Sequence, residues 1–201
     1  MLFIVMTMLV LGPQQMLDRV LAVIEGSPIT LSDVNAAVRM GLVPAPTSKT
    51  DPEREALESV IDRRLQLIEV NRYLPPEPAA SAIDARLAET RQRFQTAEGF
   101  EAALKESGLT STDLRAAVRD SLRIASYLEQ RFGAGYQPGE DEVLAYYRAN
   151  EDTFTRDGVR LAYNDARDEA RRRLIASRTS TLVRDWITGL RRRVDVTILP
   201  K

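Results

Sequence analysis

The side chains that most often do chemistry are missing from this sequence. Its 201 residues include no histidine and no cysteine. A Ser-His-Asp triad is therefore impossible. Thiolate nucleophiles, disulfides and Cys/His metal sites are equally excluded. General acid–base work falls to carboxylates. The adjacent pairs Asp141-Glu142 and Asp168-Glu169 are the right type, yet nothing beside them marks a cleft that would raise a pKa. No Gly-rich phosphate loop occurs. Two arginine triplets, Arg171-Arg172-Arg173 and Arg191-Arg192-Arg193, have the charge to meet phosphates. No aromatics interleave with them to stack bases. Both read as solvated helix faces, the second also favoured by the helix dipole. The expectation is a protein without enzymatic activity, metal or cofactor, and without a nucleic-acid partner.

Charge is close to balanced overall, at −1, but uneven along the chain. Over 156–193 there are eleven Arg against five acidic residues, a local +6, so the remainder sums to −7. Such asymmetry marks either a basic binding face or two halves that pack and neutralise each other; the second reading is adopted. With 44% hydrophobic and 28% charged residues, the composition is that of an ordinary globular protein. Surface shape, not a reacting group, is then where function should lie.

The elements that build such a surface can be read in order. Asp18-Arg19-Val20-Leu21-Ala22-Val23-Ile24 is short and β-branched, and Glu25-Gly26-Ser27-Pro28 turns it. Thr30 with Asp33 opens a helix that Gly41 stops. Asp51-Pro52-Glu53 starts a second helix, carrying the stripe Leu57, Val60, Ile61, Leu65 and Ile68 and ending before Pro75-Pro76. Further helices are expected over 78–96, 98–107, from Thr110 to Phe132, and from Pro138 to about 150. After a break at 155–158, a long helix should run over 163–194. Its second half carries Leu182, Val183, Trp186, Ile187, Leu190 and Val194, with Trp186 as a core anchor. Residues 195–199 alternate as a strand. A lone strand leaves its backbone groups unpaired, so 20–24 and 196–199 should pair. The expected fold is mainly α, with a small two-stranded antiparallel sheet joining the N- and C-terminal strands.

The first residues, Met1 to Leu11, are apolar apart from Thr7, and the run stops at Gly12-Pro13. That is too short for a membrane span and suits the apolar region of a signal peptide, although a basic start and an Ala-x-Ala cleavage pattern are missing. The expected organisation is a leader over 1–15 and a single domain over 16–201. The protein should be exported, periplasmic if the host has that compartment, with no stable membrane span.

Three stretches together resemble the SurA-type periplasmic chaperones. Residues 16–34, closing on Leu31-Ser32-Asp33-Val34, are similar to that family's opening strand, turn and helix. Residues 140–154, with Tyr146-Tyr147 and ending at Phe154, resemble the segment that precedes its parvulin domain. Residues 165–174, continuing through Trp186 to Leu199, look like its closing helix and strand. Only eight residues separate Phe154 from Tyr163, whereas a domain needs about 50 or more. Parvulin sites also rely on histidines. The resemblance thus implies a SurA-like helical domain without its prolyl isomerase. A protease-coupled isomerisation assay is expected to show no catalysis above background.

By the same resemblance, the partners would be unfolded polypeptides, outer-membrane proteins among them, bound without ATP in an apolar groove. Candidate groove residues are Met40, Leu42, Val43, Tyr127, Tyr146 and Tyr147, each of which has core packing as its alternative. A second reading keeps the scaffold but gives it one folded partner, as a structural or assembly subunit. A third, a cytosolic helical protein binding nucleic acid through its Arg-rich last helix, predicts steep salt dependence.

Overall fold

The computed structural model describes residues 18–133 and 135–200. The expected leader, 1–15, lies outside the described residues. The first described element is β1 (Val20–Ile24). Glu25 and Gly26 then take φ of 48° and 79°, the two positive values a tight hairpin turn requires. The chain reverses into β2 (Ser27–Thr30), antiparallel to β1. At the far end of the chain, β5 (Val196–Ile198) pairs with the other side of β1, also antiparallel, with Ile24 opposite Val196 and Ala22 opposite Ile198. The expected closure of the two ends is therefore present, but the sheet has three strands, ordered β2-β1-β5. The extra strand contains Pro28, which has no N–H for a ladder and argued against it. An edge position tolerates that loss.

Helix α1 (Leu31–Arg39) begins with a full capping box: Thr30 accepts from the Asp33 N–H and Asp33 accepts from the Thr30 N–H. Gly41, with φ of 68°, ends it; a Cβ there would fall 1.4 Å from Arg93 Nη1. Asp51 caps α2 (Pro52–Tyr73) by accepting from the Arg54 N–H at 3.1 Å. Helix α3 (Ala80–Gln92) is shorter than the expected 78–96: Ala79 offers no capping side chain at its start, and Thr96 already caps the next helix. Helix α4 (Ala97–Glu106) follows. Helix α5 (Ser111–Leu128) has the Thr110/Asp113 box and runs into a π turn, Glu129–Gly133. After α6 (Glu140–Ala149), the break at 155–158 is a small hairpin, β3 (Thr155–Arg156) and β4 (Val159–Arg160), turned at Asp157-Gly158. Helix α7 (Tyr163–Arg193) is 31 residues long, about 46 Å end to end.

One core unites the chain ends. Leu21, Ala22 and Ile24 of β1 meet Ile61 and Leu65 of α2 and Leu190 of α7, with Val196 and Ile198 of β5 against them. A second core lies among α3, α4 and α5 around Met40, Phe100 and Leu114. A third, separate one joins α6, Phe154 and the first half of α7. Trp186 is half-buried and packs against the first core and against Tyr127 and Phe132. The stripe containing it is only partly inward: Leu190 and Val194 are buried, whereas Leu182 is exposed.

Part of the charge asymmetry is met by packing, through Glu140, Glu58 and Asp62, which lie outside 156–193. Glu140 accepts from Tyr163, Arg167 and Arg171, and Glu169 from Arg172 and Arg173. Arg191 binds Glu58 and Asp62 of α2. The arginine triplets are thus largely engaged by acidic neighbours. Among the described residues no helix is long and apolar enough to cross a membrane.

Candidate functional site

Three helices carry the same spacing on one face. Helix α1 presents Asp33, Ala36 and Ala37; α5 presents Asp113, Ala116, Ala117 and Asp120; α2 presents Val60, Arg63, Arg64 and Leu67. These are the i, i+3, i+4, i+7 positions that share one side of a helix. Where the faces meet they line a groove of about 360 Å³, within the range of ligand sites. Ile29, Leu42 and Leu109 complete its apolar lining. The alanines explain the hollow: methyl side chains on α1 and α5 stop short of the centre, while the backbone of each helix stays in place. Arg64, Ala116 and Asp113 are exposed, so the groove opens to solvent.

The rim is polar and mostly committed. Asp33 and Asp113 belong to the two capping boxes, at helix N-termini whose dipoles offset carboxylate charge. Hydrogen bonds from Thr110 hold the Asp113 pKa below its usual value. Asp120 accepts from Arg119 at 2.9 Å and lies 3.5 Å from Arg123. Arg63 reaches across to α5, donating to the Ala117 carbonyl at 2.7 Å and to Ser121 Oγ at 3.0 Å. Burial lowers the Arg63 pKa from its ordinary value, with Asp120 opposing the shift.

Of the six groove candidates read from sequence, the structure brings only Leu42 to this site. Met40 is fully buried beside Phe100 and Leu114, and Val43 is buried too. Tyr127 is buried with Val70 and Ile124, its ring 5.7 Å from that of Trp186 and its hydroxyl accepting from Arg131. Tyr147 is buried against Phe154 and donates to the Leu161 carbonyl at 2.6 Å. Tyr146 is half-buried on the same phenylalanine. Met40, Val43, Tyr127 and Tyr147 are buried in core packing, where their apolar area leaves water. The lining of the α1/α2/α5 groove carries a different sequence signal, the repeated Asp-x-x-Ala-Ala at 33–37 and 113–117.

Glu142 is held below its usual pKa by the Gly139 N–H and Tyr136, and Glu169 by Arg173 and Arg172. Among the described residues no acidic cluster is arranged to hold a metal ion. No protein-family model matches this chain, and no curated protein does.

Proposed function

We propose that this protein is an ATP-independent chaperone of the SurA type that binds extended, unfolded polypeptide in the α1/α2/α5 groove, without prolyl isomerase activity. The observation that carries this reading is the groove: an apolar floor between three helices, a charged rim, and a mouth open to solvent. Such a site takes apolar side chains from a segment whose backbone stays hydrated at the rim. It demands no reacting group, which agrees with a chain lacking His and Cys. The resemblance to the SurA-type chaperones makes the periplasm the proposed location and outer-membrane proteins the proposed clients.

The test dilutes a urea-unfolded outer-membrane β-barrel into buffer and follows light scattering with and without the protein. Suppression near stoichiometric amounts is expected, without ATP. Ala116→Trp places an indole in the groove at an exposed position, so the fold should persist. It is expected to require about tenfold more protein for the same suppression, equivalent to about 1.4 kcal/mol of lost binding. Suppression that Ala116→Trp leaves intact moves binding away from this groove. No suppression at all favours the subunit reading, with one folded partner.

A further inference from the structure

We propose that the groove selects apolar segments that carry a carboxylate, received by Arg63 and Arg64. This rests on the peptide-binding reading and names the class of segment bound. The argument is a charge inventory of the lining. Asp33 and Asp113 are used in capping their helices. Asp120 is neutralised by Arg119 and Arg123. Arg63 has neutral acceptors only, a carbonyl and a hydroxyl. Arg64 lines the groove exposed and makes no hydrogen bond or ion pair among the described residues.

Two guanidinium groups from consecutive positions of α2 thus line the hollow without a direct ion pair, Asp120 acting on Arg63 only at longer range. A half-desolvated cation with neutral partners is short of compensation. An arriving carboxylate supplies it, and guanidinium is suited to bind both oxygens at once. A lysine on the segment would instead meet two like charges. The apolar floor beside them, Val60, Leu67 and Leu109, takes the neighbouring side chains. The favoured segment is thus apolar with one embedded acid, not purely apolar and not basic.

Isothermal titration with three short peptides tests this. They share one Leu/Ala/Ser sequence with blocked ends and differ at a central Glu, Gln or Lys. The Glu peptide is expected to bind about fivefold or more tighter than Gln, with Lys weakest. The gap should narrow as salt rises. Arg64→Ala should collapse the Glu–Gln difference, Arg64→Lys should keep most of it, and Arg64→Glu should turn preference toward Lys. Because Arg64 supports no other side chain, circular dichroism and Tm of these variants should match the parent, whereas Arg63 variants lose a bridge to α5. Equal binding of Glu and Gln peptides, or a Glu preference surviving Arg64→Glu, overturns the carboxylate proposal while leaving the groove reading intact. Failure of all three peptides to bind overturns both.

Discussion

Ile61→Ala is expected to lower the free energy of unfolding by about 2–5 kcal/mol, through lost transfer energy and the cavity left behind. Ile61 is fully buried on α2, at the centre of the core that holds both ends of the chain. Its neighbours come from β1, α1, the last turns of α7 and, around them, β5. No single element can move in to fill the space without disturbing the sheet or α7, so collapse is limited. Against a total of about 5–15 kcal/mol for a protein, this is a large fraction. A protein of this length should lose roughly 4–20 °C in Tm. Urea unfolding, followed by the fluorescence of the single tryptophan, Trp186, and by circular dichroism, measures it. Both signals should shift together, because Trp186 packs on this same core. Leu182→Ala, at a residue 39% exposed, should change stability by no more than about 0.5 kcal/mol. A loss below about 1 kcal/mol for Ile61→Ala would mean that the ends are less tightly joined than the packing implies.

Much of this fold is legible in the sequence because its boundaries carry their own chemistry. The starts of α1, α2 and α5 follow from Thr30/Asp33, Asp51-Pro52 and Thr110/Asp113, whose side chains meet the helix N–H groups they were expected to meet. The pairing of β1 with β5 follows from the need of two lone strands for partners. Strand β2 was hidden by Pro28, which after Gly26-Ser27 reads as part of the turn but is tolerated at a sheet edge. The β3–β4 hairpin is too short for an alternating pattern to register. The π turn at Glu129–Gly133 looks like ordinary helix in sequence, since Phe132 continues the apolar spacing of α5. The lining of the α1/α2/α5 groove was not legible for a different reason. Search by apolar content finds side chains that want burial, and Met40, Tyr127 and Tyr147 duly sit in cores. A groove between helices is made by small residues that fail to fill space. Ala36, Ala37, Ala116 and Ala117 look like neutral helix formers until the three helices are set side by side.

The second large effect concerns Arg191, which joins α7 to α2 in the part of the fold that closes the chain. Its Nε donates to Asp62 Oδ1 at 2.7 Å, its Nη1 to Glu58 Oε2 at 2.6 Å, and its Nη2 to the Glu58 carbonyl at 3.3 Å and to Asp62. Arg191→Met keeps the aliphatic stem and leaves Asp62 without its counterion, one helical turn from Glu58, which retains Arg54 at 2.7 Å. Breaking a buried pair costs about 3–5 kcal/mol. Here the side chains are about a third exposed, 31% for Arg191 and 32% for Asp62, so screening reduces the expected loss to about 2–3 kcal/mol. The pH dependence separates charge from packing. Burial raises the Asp62 pKa above 3.8 even with Arg191 opposing it. A carboxylate whose folded pKa is raised binds its proton more tightly when folded, so stability falls as pH rises through the window above 3.8. Removing Arg191 removes the groups that pull Asp62 down, and Glu58 pushes it further up. The deficit of the variant is therefore expected to be full at pH 7 and to shrink as pH falls toward 4, where Asp62 can fold protonated. Urea midpoints for both proteins at the two pH values give the difference directly, which cancels the opposite trend of Glu140 and Glu169, whose lowered pKa values favour folding at higher pH. Arg191→Lys should recover part of the loss at pH 7. A deficit of the same size at both pH values would place the role of Arg191 in packing instead of charge.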